Sequence, residues 1–162
     1  MELRKRIAFV QDSVIAHRRW LHAHPEPSGQ EKETAAYIAA ALRKLGLDPI
    51  ENVGGYGVVA VIEGSKGGKC VGLRADFDAL SIQEETGLPF ASENPGISHA
   101  CGHDVHTAML LGAAEVLSSM KFVSGTQRRY VSKVNTADLE RVKKAIYEQT
   151  KIHQYGSLTS GN

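Results

Sequence analysis

Apolar residues recur at three- or four-residue steps in several parts of the chain, which is the spacing of an amphipathic helix. The first such run covers about residues 3–21. A second helix is predicted to start at Ser28, whose side chain can cap the N-terminus while Glu31 returns the bond. Gly46 is the expected stop of this second helix, because glycine commonly follows the last helical residue.

The pattern then changes to two short runs rich in β-branched residues, 56–62 and 70–74, separated by a glycine-rich turn. A parallel pair would need a crossover of about a dozen residues or more, so we expect these strands to be adjacent as a hairpin. A third helix is predicted from Asp104 to about residue 120, and a fourth over 135–150 before a loose tail. These elements predict an α/β fold with helices packed on a central mixed sheet.

Composition narrows the class of protein. The chain has 162 residues, of which 42% are hydrophobic and 23% charged, which is ordinary for one globular domain. A formal net charge of +1 does not favour nucleic acid as a partner, since such binding needs a concentrated positive face. The first 25 residues contain neither a signal-peptide core nor a membrane span, so we expect a cytoplasmic protein that does not bind membranes, with Cys70 and Cys101 as free thiols.

Residues 99–106 are the densest group of chemically active side chains, with three histidines, one cysteine and one aspartate. Thiolate and neutral imidazole are preferred zinc ligands, and the spacing of Cys101 and His103 can direct both donors to one ion. Further ligands would have to come from elsewhere in the fold or from another chain, as in catalytic sites that keep a position open for water. Asp104 is expected to cap the helix or to orient a ligand imidazole.

Several other polar residues have a functional interpretation and a purely structural one. Asp76 and Asp78 follow the second predicted strand, and ligands often bind at the carboxyl ends of strands, although loop acids also cap turns. The irregular stretch 79–100 is long enough to be a functional loop. His22, next to the first helix end, is expected to be a packing residue, and Glu84 to belong to a solvated loop pair.

Three segments resemble the metal-dependent amidohydrolases related to hippurate hydrolases, N-acyl-amino-acid deacylases and auxin-conjugate hydrolases. The resemblance covers roughly residues 4–121 and implies hydrolysis of the amide bond of N-acyl amino acids by two divalent ions, commonly zinc, manganese, cobalt or nickel. It implies that Cys101 and His103 are metal ligands and that Asp76 is the acid that supports the metal site. It also implies a zinc-peptidase-like catalytic domain with a smaller lid or dimerisation domain. The segments are RRWLHAHPEPSGQEK, RADFDALSIQEETGLPFASENP and HACGHDVHTAMLLGAAEVL.

The resemblance stops near Lys121, so we divide the chain into an incomplete catalytic part, 1–121, and a divergent basic part, 122–162. Family members continue with a buried strand and a Pro-Ala-Glu-Glu turn that holds a general base and a further ligand. In ungapped register, Asn135 and Thr136 stand at the two glutamate positions. Neither side chain can take a proton from bound water. Later histidine ligands and the lid domain are expected to be absent.

Three hypotheses follow from the resemblance and its limit. In the first, the chain is a truncated amidohydrolase with little activity alone. In the second, a companion chain or further copy completes it by supplying the missing ligands. In the third, it is a non-catalytic remnant or module whose basic C-terminal helix binds a partner.

Overall fold

The computed structural model describes residues 2–63 and 71–120 in full and residues 128–132 by their backbone. Helices and strands pack as a mixed α/β fold, which confirms the predicted fold class. The predicted fourth helix and tail lie outside the described residues. The helices are α1 (Leu3–Phe9), α2 (Gln11–Ala23), α3 (Lys32–Lys44) and α4 (His103–Ser118), and the strands are β1 (Ile50–Val53), β2 (Gly57–Ile62), β3 (Val71–Ala75) and β4 (Arg128–Ser132).

The first predicted helix is in fact two helices, and the second of them ends at Ala23, directly before His24 and Pro25, which were expected to end it. Val10 separates α1 from α2 with φ −91° and ψ 1°, outside the helical region. Val10 is buried, whereas no residue of α1 is, so the break coincides with the point where the chain enters the core. Glycine and proline are absent here, and the apolar pattern continues through the break.

The start of α3 also differs from the prediction. The helix begins at Lys32, and its first amides are capped by Glu26, whose carboxylate accepts bonds from the N–H groups of Glu33 (3.1 Å) and Thr34 (2.7 Å). Glu31 instead accepts a bond from the amide of Gly29 at 2.8 Å. The predicted start of this helix at Ser28 is therefore wrong, because the helix begins at Lys32 and the Glu26 carboxylate caps the amides of its first turn.

The sheet has the order β1-β2-β4-β3, so the predicted hairpin of adjacent strands is wrong. β4 pairs antiparallel with β2 and parallel with β3, and lies between them. With strands about 4.8 Å apart, β2 and β3 are separated by about 10 Å. Residues 63–70 can cross that distance easily, since an extended residue spans about 3.3 Å. A connection short enough for a hairpin thus also fits two strands with a third inserted between them.

The core lies between the sheet and the two helices α3 and α4. α2 packs on α4 at a close approach: a Cβ added at Gly112 would come nearer than 3.0 Å to Val14 Cγ2. α4 is thus packed against both β3 and α2. In the parts of the chain that are described, no helix has the length and apolar character needed to cross a membrane. The fully buried apolar core side chains include Ile38, Leu42, Val58, Phe77 and Leu111.

Candidate metal centre

The carboxyl end of β3 meets the start of α4. The hydroxyl of Thr107, in the second turn of α4, donates a 2.8 Å hydrogen bond to the backbone oxygen of Asp76, which directly follows β3. Gly102 precedes α4 with φ 80°, a left-handed conformation in which glycine is not strained. This turn sets His103 as the first residue of α4, beside the strand end.

His103 is held in one orientation by Asp78. Its Nδ1 lies 3.0 Å from both the backbone oxygen and the Oδ1 of Asp78, and both groups are acceptors. Nδ1 is therefore the ring nitrogen that donates, and in the neutral form of the ring Nε2 carries the lone pair. The acid that orients this imidazole is Asp78, whereas the sequence pointed to Asp104.

Cys101 and Asp76 complete the predicted set of site residues. Cys101 is exposed and forms no disulfide with any described residue, while Cys70 lies outside the described residues. The Asp76 carboxylate accepts a 2.6 Å bond from Arg74. Within residues 2–63 and 71–120, no three histidine, cysteine or acidic side chains are grouped closely enough to hold an ion. The donor chemistry of Cys101 and His103 thus fits part of a metal site, not a closed one.

A buried charged network lies behind this loop. His22 contacts two carboxylates, with Nδ1 2.7 Å from Asp104 Oδ2 and Nε2 3.0 Å from Glu84 Oε1. Arg18 Nε lies 3.0 Å from the same oxygen of Asp104. Each ring nitrogen of His22 therefore faces a carboxylate, and Arg18 Nη2 also lies 3.4 Å from Nδ1. Two basic side chains and two carboxylates therefore meet in a region where only Arg18 is appreciably exposed.

Glu84 anchors the long loop and is not the solvated residue that the sequence predicted. Burial raises its pKa, but hydrogen bonds from Thr86, from the backbone N–H of Ser92 and from His22 outweigh this and bring the pKa to about 2. The Ser92 bond is 2.6 Å long. The loop is closed at its base by two backbone bonds between Leu80 and Ser98. Glu84 thereby ties the loop to α2.

His99 lies in the interior next to this network. It is 5% exposed, and its ring centre is 6.4 Å from that of His22. Neither ring nitrogen has a hydrogen-bond partner among the described residues. Burial lowers the pKa of His99 to about 4, against the opposing effect of the Asp104 carboxylate. The ring is therefore neutral at pH 7.

The sequence indicated the metal loop but not the buried network behind it. Arg18 and His22 stand four residues apart, which places them on one face of α2. That spacing was a usable signal, since two basic side chains on a buried helix face require acidic partners. Asp104 and Glu84 are distant in sequence from that helix, so no local pattern identified them as the partners.

The comparisons with known proteins agree with this geometry. Residues 72–140 match the model of Peptidase family M20/M25/M40, and this stretch contains Asp76, the whole Cys101–His103 loop and β3 except for Val71. The chain is similar to that family over this stretch. The family resemblance predicted from the sequence is confirmed.

Individual M20 relatives give the same result. The N-acyl-L-amino acid amidohydrolase of Geobacillus stearothermophilus is 47% identical over 120 residues, covering 74% of this chain and 32% of that protein. The hippurate hydrolase of Campylobacter jejuni is 41% identical over 122 residues, with 75% and 32% covered. The chain spans about a third of the length of these relatives.

A solved M20 structure shares the fold. The Bacillus subtilis YXEP protein, described as a dinuclear metal-binding peptidase, superposes with a TM-score of 0.71 at 41% identity. The match covers 75% of this chain and 34% of that one. The fold described above is accordingly part of an M20 peptidase domain.

Proposed function

We propose that this chain provides one half of the divalent-metal centre of an amidohydrolase that acts on N-acyl amino acids. The observation that carries the proposal is the Cys101-Gly102-His103 turn. It lies in the part of the chain that matches the family and leads into α4 beside the end of β3. The substrate class follows that of the relatives whose names specify N-acyl amino acids and hippurate.

Cys101 and His103 would be the ligands, with the sulfur as thiolate and Nε2 as the nitrogen donor. The accessible thiol and the Nδ1 bond to Asp78 support these roles. Asp76, which follows β3 and is held by Arg74, would be the acid that supports the site. The ion, for which zinc, manganese, cobalt and nickel are the candidates, would polarise the amide carbonyl and acidify bound water.

We expect the chain alone not to hydrolyse N-acyl amino acids at the rate of the family. Proton transfer by a positioned acid or base contributes about 10²- to 10⁴-fold, and Asn135 and Thr136, which lie outside the described residues, stand where the family has glutamates. A companion chain or second copy that brings the missing ligands belongs to the same proposal, as does a cytoplasmic location.

The test combines metal analysis with an activity assay. The purified chain, loaded with zinc, manganese, cobalt or nickel, is assayed on N-acetyl and N-benzoyl amino acids beside Cys101→Ser. We expect metal bound by the parent and lost in the variant, with no robust turnover by either. Equal metal content in both would contradict the proposed site, and robust turnover that vanishes in the variant would contradict the expected inactivity.

The alternative is a non-catalytic remnant that binds a partner through its basic C-terminal segment. It predicts a salt-dependent interaction that persists in Cys101→Ser and requires Arg128, Arg129, Lys143 and Lys144. The family match over the metal loop favours the amidohydrolase proposal.

A further inference from the structure

We propose that the helix predicted over residues 135–150, called the C-terminal helix below, packs on the face of the sheet opposite α3 and α4. The inference goes beyond the proposed function and involves no metal. It starts from Val59 in β2, which is 0% exposed although it lies outside the core that α3 and α4 form with the sheet.

The described residues cover the two faces of β2 differently. Val58, Ala60 and Ile62 belong to the core with α3 and α4. Because successive side chains of a strand alternate, Val59 and Val61 lie on the other face. α1 and α2 pack chiefly on α4. None of the described helices therefore provides the layer that buries Val59.

The apolar strip on this second face crosses three strands. In the register, Ile50 of β1 and Val131 of β4 stand opposite Val59, and directly opposed residues share a face. Arg74 of β3 stands next in the same row, and its side chain is 54% exposed. The covering layer therefore lies over β2 and its two neighbours and leaves the β3 edge accessible.

The position of β4 selects the C-terminal helix as this layer. β4 ends at Ser132, so the helix follows after a connection of about two residues, which is a usual length between a strand and a helix. α3 and α4 already occupy the first face, so a helix that returns over the sheet has the second face available. At 1.5 Å per residue the helix is about 24 Å long, close to the length of about 20 Å for β2.

The sequence of the C-terminal helix fits one covered and one open side. Leu139, Val142 and Ile146 recur at three- and four-residue steps, which places them on one face, and Lys144 lies on the opposite side. A second copy is not needed as the cover, because Val59 is already buried within the single chain. The sheet then has a helical layer on each face, with Lys144 on the outer side.

The first experiment compares two serine variants of the full chain. Ile146→Ser changes the apolar side, and Lys144→Ser, two residues away on the opposite side, is the matched control. We expect Ile146→Ser to reduce the folding equilibrium constant in urea unfolding by at least about 10-fold, because truncation of a buried apolar side chain loses packing and transfer free energy. Lys144→Ser should stay within about 2-fold of the parent.

A photo-crosslink locates the contact directly. Leu139→p-benzoylphenylalanine in the full chain places a photoreactive group on the apolar side of the helix. Equal amounts of ¹⁵N-labelled and unlabelled chain are mixed, irradiated and digested, and mass spectrometry identifies the joined peptides. We expect joined peptides in which both halves carry the same label and one half contains β1, β2 or β4.

Support requires both results: the crosslink to a strand of the same chain, and a loss of stability in Ile146→Ser that Lys144→Ser lacks. A crosslink between differently labelled chains overturns the proposal, because a second copy would then cover the face. A crosslink to α1, α2 or α4, or none to the three strands, overturns it as well. Equal stability of the two serine variants has the same consequence.

Discussion

Replacing Gly112 with alanine tests how tightly α2 is packed on α4. In an exposed helix interior this change would stabilise the protein by about 0.5–1 kcal/mol, because alanine has the higher helix propensity. Here the new Cβ would approach Val14 Cγ2 closer than 3.0 Å, although it would be an ordinary 3.8 Å from Val14 Cβ. Rotation of Val14 is restricted in a helix, and overpacking costs about 1–3 kcal/mol. We therefore expect Gly112→Ala to destabilise the fold by about 0.5–2 kcal/mol.

A double-mutant cycle isolates this contact. Val14→Ala removes Cγ2, so Gly112→Ala in that background should stabilise by about 0.5–1 kcal/mol, the propensity term alone. The four proteins are compared by urea unfolding followed by far-ultraviolet circular dichroism. The reasoning is refuted if Gly112→Ala is as stable as the parent, or if its effect is the same in both backgrounds.

Two further predictions concern the buried network. The pKa of His99 is about 4 in the folded chain and 6.5 in the unfolded chain, so the unfolded chain binds the extra proton between these values. The free energy of unfolding should fall by about 2 kcal/mol from pH 7 to pH 5 through this group. His99→Asn should lose that part of the pH dependence in urea melts. An unchanged slope of the unfolding free energy against pH in this variant would contradict the prediction. Glu84→Gln removes the charge that accepts hydrogen bonds from His22, Thr86 and the Ser92 amide, and should cost about 2 kcal/mol. Hydrogen exchange at the Ser92 amide should then accelerate, and unaltered exchange would show that Glu84 does not anchor the loop.

Local patterns were sufficient for the elements that carry the metal loop. α4 was predicted from its apolar stripe and its first-turn aspartate, which are both local signals. The predicted start was therefore only one residue late. The strands β2 and β3 were each found within one residue for the same reason. The Cys101–His103 pair was singled out by density and spacing alone.

Long-range partners were the part that the sequence could not supply. β4 carries two adjacent arginines, which is not the apolar run expected of an inner strand, so its place between β2 and β3 had no local signal. Val10 interrupts the helix although the apolar pattern continues through it, so no local signal marks the break. The choice of Asp78 over Asp104 as the partner of His103 likewise depends on how a strand end meets a helix start.

The position of β4 also has a consequence for synthesis on the ribosome. The strand made last of the four is the one that joins β2 to β3, through pairs such as Val59 with Val131 and Leu73 with Tyr130. Until residues 128–132 have emerged, β2 and β3 each present an open edge that can pair with another chain. Contacts of this sequence separation form slowly, and unpaired edges promote aggregation during that interval. A nascent chain paused before residue 128 would therefore depend on chaperones, whereas one released after Ser132 could close its own sheet.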